Sequence, residues 1–175
     1  MDIFETLARR HSYRGEFTNA PVSRDDFVKI LQAGIDAPSG CNAQSTSFVA
    51  IDDPLLIQSI ANMLDRPYTR TAKAMIACVC DKTPARPGSE AVYYKEDAGA
   101  AVENMLLAVT ALGYATVWLQ GAISGEIATR IARLLSVPEK KELLVLLPVG
   151  VPKSEGKPNP KRPFGQRVAF NKYSF

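Results

Sequence analysis

Four side chains near the start of the sequence have the types and spacing needed to bind an anion. Arg10, His11, Ser12 and Arg14 fall within five residues, and His11 is the only histidine in the chain. Arginine donates two parallel hydrogen bonds to a phosphate-like group, and a serine hydroxyl adds another donor. The alternative is a solvated run of charge at a helix end, where basic residues complement the helix dipole.

A second candidate segment is DAPSGCNAQ, residues 36–44. Pro38, Ser39 and Gly40 end a predicted helix in a tight turn, and Asn42 and Gln44 follow before a predicted strand. Backbone groups in such a turn approach a ligand closely, and amide side chains both donate and accept hydrogen bonds. The alternative is an Asx-type turn that only joins helix to strand.

The third candidate segment is GYATVWLQGA, residues 113–122. Gly113 ends a long predicted helix, Trp118 stands at the end of a predicted strand, and Gly121 lets the backbone approach a flat ligand. The alternative is ordinary helix–strand punctuation with a tryptophan in the core.

Several other chemistries are excluded by what the sequence lacks. No G-x-G-x-x-G follows a predicted strand and no Walker loop occurs, so neither common nucleotide-binding motif is present. His11 adjoins Ser12 in sequence, which gives poor geometry for a Ser–His–acid triad. Cys78 and Cys80 lie in an apolar run, and one histidine is too few for a zinc site, so we expect buried cysteines and no metal.

Composition bounds the class of protein. The chain has 175 residues, 46% of them hydrophobic, and a formal net charge of +3. We expect a single domain with a real core, and the weak charge asymmetry does not favour a nucleic-acid binder. The start of the sequence has no signal-peptide pattern and no apolar run is long enough to cross a membrane, so we expect a soluble, cytoplasmic protein.

Hydrophobic spacing and capping residues predict alternating helices and strands of an α+β or α/β protein. Predicted helices cover 2–9, 23–37, 54–64 and 96–112, and a further helix is capped by Ser124. Predicted strands cover 47–52, 74–81, 115–120 and 142–151. Residues 152–175 are rich in proline and basic residues and end with apolar ones, so we expect this tail to dock elsewhere, for example on a partner subunit.

The order and spacing of the motifs resemble the FMN-dependent nitroreductase family. The family's opening motif corresponds to Arg10-His11-Ser12-Tyr13-Arg14 followed by Phe17, and its Ala-Pro-Ser-x-x-Asn-x-Gln signature matches residues 37–44 in full. A central helix that leads into a tryptophan-containing strand matches residues 96–118. A Gly-x-Pro followed by a basic stretch matches Gly150-Val151-Pro152 and then Lys161-Arg162.

The resemblance implies a role for each motif at the cofactor. Arg10 and Ser12 would bind the FMN phosphate and ribityl chain with His11 beside them, and Arg14 would stabilise negative charge at the pyrimidine edge of the flavin. The 38–44 turn would line the flavin, 119–121 would lie against the ring with a backbone N–H near N5, and a basic tail residue would complete the phosphate site. The implied cofactor-binding residues are Arg10, His11, Ser12, Arg14, Pro38, Ser39, Gly40, Asn42, Gln44, Leu119, Gln120, Gly121, and Lys161 or Arg162.

The resemblance also implies a fold and an assembly. The fold would be a single α+β sandwich domain, residues 1–175, with a central, mostly antiparallel sheet of four to five strands flanked by helices. Two copies would form a homodimer with FMN at the interface, and the tail, residues 152–175, would dock on the partner subunit.

The implied activity is an oxidoreductase that passes a hydride from NADH or NADPH through flavin N5 to nitroaromatics, quinones or similar flat acceptors by a ping-pong mechanism. No side chain acts as nucleophile, because the cofactor carries the chemistry. The alternative is a flavin-binding protein without turnover. The segments over the flavin are short here, and Tyr68, Arg70, Tyr93 and Tyr94 are candidates to meet the acceptor, with plain packing as the alternative for each.

Overall fold

A four-stranded antiparallel sheet lies at the centre of the protein, whose computed structural model describes residues 1–175. The strands are β1 (Thr46–Ile51), β2 (Ala74–Asp81), β3 (Ala115–Thr116) and β4 (Lys141–Gly150). They lie side by side in the order β1-β2-β4-β3, and each adjacent pair is antiparallel. The predicted α+β class and the predicted sheet are confirmed.

Six helices surround the sheet: α1 (Ile3–Arg9), α2 (Arg24–Ile35), α3 (Pro54–Leu64), α4 (Pro67–Arg70), α5 (Tyr94–Ala111) and α6 (Glu126–Leu134). Side chains cap three of them at predicted starts. Asp2 accepts from the N–H of Glu5, Ser23 from that of Asp26, and Asp53 precedes Pro54 and caps α3. None of the helices is long and apolar enough to span a membrane.

Both faces of the sheet are covered, and the alternation along β2 shows how. Met75, Ala77 and Val79 contribute to a core that also contains residues of α3, α4 and α6. Ile76 and Cys78, which face the other way, belong to a second core with α2 and α5. A strand buried on both faces reads as one continuous apolar run, which is what residues 74–81 show. Cys78 and Cys80 are buried as predicted.

The strand predicted over 115–120 is shorter in the structure, because its partner contains a proline. Only Ala115 and Thr116 form β3, and the pairing resumes as a single bridge between Leu119 and Leu146. Continuous register between these pairs sets Pro148 opposite Val117. Proline has no N–H to donate, so the ladder breaks there.

The predicted cap of α6 is wrong. The helix begins at Glu126 with Gly125 as its N-cap residue, at a positive φ of 61°. The hydroxyl of Ser124 donates instead to the carbonyl of Gly121 at 3.0 Å, and so closes the preceding turn rather than capping the helix.

The tail leaves the sheet at Pro152 and contains only one short 3-10 turn, Phe164–Gln166. A bridge between Phe17 and Pro152 fixes its start beside the N-terminal segment. Its large apolar side chains are exposed in the single chain: Phe164, Val168, Phe170, Tyr173 and Phe175. The tail therefore has no core of its own.

Candidate functional site

The N-terminal motif and the tail meet in a cavity of about 160 Å³ that has no hydrophobic residue in its lining. We call it the cationic cavity. Although more than 140 residues separate its two walls in sequence, both bring basic groups to it. Its lining residues are Arg10, His11, Ser12, Arg14, Lys157, Pro158, Asn159 and Lys161.

Local structure explains why the motif presents its polar side chains on one side. Helix α1 ends at Arg9, the N–H of the following Arg10 still donates to the carbonyl of Thr6, and the chain then becomes extended. Tyr13 is buried, and its backbone N–H donates to the Thr116 carbonyl. Side chains of an extended chain alternate in direction, so Ser12 and Arg14 face outwards and are exposed.

Tyr13 also ties the tail to this segment. Its hydroxyl donates to the carbonyl of Glu16 at 2.6 Å and accepts from the N–H of Lys153 at 3.1 Å. Lys153 returns an ion pair to the Glu16 carboxylate at 2.8 Å, and this hydrogen bond holds the pKa of Glu16 below its ordinary value. The two walls of the cationic cavity are thus joined by specific contacts.

Positive charge in the cationic cavity is only partly compensated. Arg10 Nε lies 2.9 Å from the Glu103 carboxylate on α5, whereas Arg14, Lys157 and Lys161 form no ion pair. Unpaired cations grouped around a polar cavity favour an anion. Because a solvated helix end would not collect lysines from the far end of the chain, the structure favours the anion-site interpretation.

His11 lies under the tail. Its Nδ1 is 2.9 Å from the carbonyl of Arg9, and its Nε2 is buried without a hydrogen-bond partner. A Cβ added at Gly156 would collide with this ring. Glycine at 156 therefore lets the tail pass close over His11 and brings Lys157 to the cavity.

The 38–44 turn lies elsewhere, at the start of α5, and a buried carboxylate holds it. Asp97 is 4% exposed; its Oδ1 accepts from the N–H of Gly40 at 2.7 Å and its Oδ2 from the Ser45 hydroxyl at 2.5 Å. Within the turn, Ser39 Oγ accepts from the N–H of Gln44 at 2.9 Å. These contacts show a turn with its own tertiary anchor rather than a simple Asx turn.

Positive φ angles add conformational strain to this turn. Cys41, Asn42 and Gln44 have φ of 53°, 55° and 49°, in a region that residues other than glycine adopt at a cost. Cys41 and Asn42 are exposed at its tip. Asp97 and Ser39 are the side chains that offset this cost by hydrogen-bonding the turn's backbone.

A second cavity, of about 400 Å³, adjoins the turn and is more apolar. Pro38, Ser39 and Gln44 line it together with Asp97, and α2 and β1 supply apolar side chains. Tyr93 packs over Gly40 and is 40% exposed. The other predicted acceptor contacts are used otherwise: Tyr68 is buried, Arg70 pairs with Asp65, and the Tyr94 hydroxyl faces Glu142.

The third segment forms part of another wall. Leu119 is buried and bridges to Leu146, and Gly121 opens a 3-10 turn. The amide of Gln120 accepts from the indole N–H of Trp118 at 3.2 Å, and Gln120 lines a separate cavity of about 350 Å³.

Within one chain the three predicted segments are therefore not brought together. The cationic cavity gathers Arg10, His11, Ser12, Arg14 and Lys161, while Arg162 is not part of its lining. Pro38, Ser39 and Gln44 of the turn line one other cavity, and Gln120 lines another.

Sequence reasoning missed Lys157, Asn159 and Asp97. The signal for the first two is the K-P-N-P-K spacing in the tail. The signal for Asp97 is an acidic residue one turn before Ala101 on the buried stripe of α5.

Comparisons with known proteins find relatives that are similar to this chain over most of its length. The Nitroreductase family model matches residues 7–77 and 58–151. A protein from Archaeoglobus fulgidus, provisionally named NADH dehydrogenase/NAD(P)H nitroreductase, is 28% identical over 88% of this chain and 87% of its own length. An NADPH-dependent oxidoreductase from Staphylococcus epidermidis is 25% identical over 93% of this chain and 70% of its own.

The fold of this chain is also similar to that of a solved oxidoreductase. The NADPH:FMN oxidoreductase from Vibrio harveyi, solved in complex with NAD+, superposes with a TM-score of 0.83 at 24% identity. The match covers 99% of this chain and 78% of that one.

Proposed function

Because the chain belongs to the Nitroreductase family, we propose that it is an FMN-dependent oxidoreductase that takes a hydride from NADH or NADPH. The acceptors we propose are nitroaromatics, quinones and similar flat molecules. These acceptors share one property, because each takes up a hydride or electrons on a planar conjugated system.

The observation that carries this proposal is the cationic cavity. Its lining is polar except for Pro158, and Arg10, Arg14, Lys157 and Lys161 bring cationic groups from both ends of the chain. The hydroxyl of Ser12 adds a donor. A dianionic phosphate monoester fits this donor set, because arginine and lysine provide charge-assisted hydrogen bonds and no apolar surface has to be covered.

When bound, FMN supplies the centre that accepts and releases the hydride. The chain's own residues then bind and tune it. Arg10, Ser12 and Lys161 would hold the phosphate, and Arg14 would stabilise negative charge on the ring and so raise the reduction potential. The 38–44 turn and the 119–121 segment would line the ring.

A second copy of the chain completes the site in this proposal. One chain keeps the 38–44 turn and the cationic cavity apart, so a flavin that contacts both needs the turn of the partner subunit. Exposed apolar side chains are suited to such an interface. They are Ile3, Phe4 and Leu7 of α1 and the aromatic residues of the tail. Residues 152–175 would then bury these aromatics on the partner.

The test of function is an anaerobic titration of FMN-loaded protein with NADH and, separately, NADPH. We expect bleaching of the flavin absorbance by at least one of them, then recovery on adding a nitroaromatic or a quinone. Steady-state rates should give parallel double-reciprocal lines, as a ping-pong mechanism requires. A flavin that binds but resists both nicotinamides would instead indicate flavin storage or sensing.

The test of assembly is light scattering on the protein after size-exclusion chromatography. Two chains of 19.0 kDa are expected per particle. Replacing Phe170 and Tyr173 by serine should shift the particle towards one chain, and a monomeric unaltered protein that binds FMN tightly would contradict the shared site.

A further inference from the structure

One contact of the cationic cavity plays no part in the proposed function as described so far. Arg10 is joined through its Nε to Oε1 of Glu103, at 2.9 Å, and no other carboxylate pairs with a cation of this cavity. A negative charge beside a phosphate site repels the phosphate, so its presence needs a physical reason.

The reason lies in which Arg10 atom contacts the carboxylate. A guanidinium carries five N–H donors in a rigid plane, and Nε–H is the one nearest the chain. Nε of Arg10 contacts the Glu103 carboxylate, and the terminal amino groups form no hydrogen bond with another residue. Since Arg10 itself lines the cavity, its two-pronged end stays available to an anion.

The two partners differ in their place in the backbone. Arg10 follows the last residue of a seven-residue helix and is followed by extended chain, whereas Glu103 lies in the middle of the 18-residue α5. The side chain of Arg10 is 25% exposed and that of Glu103 44%. A side chain at a helix end is thus paired with a group in the middle of the longest helix of the fold.

We propose that Glu103 is a positioning residue for the phosphate of FMN. By holding Nε it fixes the plane of the Arg10 guanidinium, so that both terminal amino groups meet the phosphate without first losing rotamer freedom. The carboxylate acts through Arg10 and does not touch the cofactor. This inference rests on the proposed function, because it assumes that FMN places its phosphate in the cationic cavity.

The test compares the affinity of the full-length protein for FMN with that for riboflavin, which lacks the phosphate. Glu103→Ala should raise the dissociation constant of FMN about threefold to fivefold, in line with the value of a partly exposed ion pair, and leave riboflavin binding unchanged. A merely structural loss would weaken both flavins. Glu103→Gln keeps the acceptor oxygen and removes the repelling charge, so FMN should bind at least as tightly as to the unaltered protein.

Glu5 offers a matched control. It is 47% exposed, pairs with Arg9 on α1 and does not line the cavity, so Glu5→Ala removes the same charge without touching Arg10. The FMN-to-riboflavin ratio should not change in this variant. In an Arg10→Ala background, Glu103→Ala should no longer weaken FMN binding relative to riboflavin, as a double-mutant cycle requires of a residue that acts through Arg10.

Several outcomes would overturn the proposal. Tighter FMN binding by Glu103→Ala would show that the carboxylate only competes with the phosphate. An equal change of the FMN-to-riboflavin ratio in Glu5→Ala would show that the effect comes from net charge alone. Weaker binding of both flavins by Glu103→Ala would show that the substitution only disturbs the fold. If the unaltered protein binds no FMN, the proposed function fails rather than the role of Glu103.

Discussion

Replacing Arg10 by alanine should weaken FMN binding about 10- to 30-fold. A charge-assisted hydrogen bond contributes about 1.5–3 kcal/mol, and the side chain of Arg10 is 25% exposed, so solvent screens part of this value. We therefore take the lower part of the range, about 1.5–2 kcal/mol, and every 1.4 kcal/mol is roughly tenfold in affinity. The variant also leaves the Glu103 carboxylate without its partner, which adds repulsion towards a phosphate.

The neighbouring arginine provides the control for this measurement. Arg9 is 64% exposed, pairs with Glu5 within α1 and does not line the cationic cavity. Both variants lose one positive charge, so a difference between their FMN affinities reflects the position of that charge. The affinities are measured by titrating each apoprotein with FMN and following the quenching of flavin fluorescence. Arg9→Ala should stay within twofold of the unaltered protein. Equal losses in the two variants, or no loss in Arg10→Ala, would refute the assignment of the cavity.

Three further outcomes are expected. Asp97→Ala removes the acceptor of two buried hydrogen bonds, so the free energy of unfolding in urea should fall by about 2–4 kcal/mol. Gly156→Ala sets a Cβ against the His11 ring, moves the tail and should weaken FMN binding in the same fluorescence titration. Lys153→Met should raise the pKa of Glu16, measured by NMR, towards its ordinary value of 4.5. Because that pKa is lowered by Lys153, the pair stabilises the fold above pH 4.5 and loses this contribution as the pH falls through the lowered pKa.

Each of these outcomes has a control or a contradicting result. Gly165→Ala also lies in the tail, but its Cβ would meet no atom within 4 Å, so FMN binding should not change. An unfolding free energy that is unchanged in Asp97→Ala would show that the turn does not depend on this carboxylate. A Glu16 pKa that ignores the loss of Lys153 would show that the ion pair is not formed in solution.

The elements of the fold were predictable where short-range rules decide them. Ser23 and Asp53 mark helix starts because a side-chain oxygen satisfies a free N–H at that point, and this needs no knowledge of the rest of the chain. The apolar run of 74–81 likewise predicts a strand covered on both faces.

Most of the features that the sequence patterns did not predict depend on contacts with residues that are distant in the sequence. The predicted 115–120 strand breaks because Pro148 of another strand cannot donate to it, and only the pairing register reveals that contact. Ser124 is the local exception, since it fits the preference for a helix cap but its hydroxyl donates to Gly121, three residues earlier, and closes the turn before α6. The role of Asp97 depends on a contact 57 residues away along the chain.

In the candidate site, too, the residues close in sequence were predicted and the contacts between distant segments were not. The motif predicted Arg10, Ser12 and Arg14 as neighbours because they are close in sequence, and the structure gathers them in one cavity. Lys157 enters the same cavity only because Tyr13 and Glu16 fix the start of the tail. Which of Lys161 and Arg162 lines the cavity could not be read from the sequence, since adjacent residues of an irregular tail point in different directions.

The most direct test of the cationic cavity as a phosphate site is the ratio of the FMN and riboflavin affinities of the unaltered protein, measured by calorimetry at two salt concentrations. Cationic side chains around the phosphate, those of Arg10, Lys157 and Lys161, predict that FMN binds at least about tenfold more tightly than riboflavin and that this advantage shrinks as salt rises. Equal affinities for the two flavins, or an advantage that salt does not alter, would contradict the account.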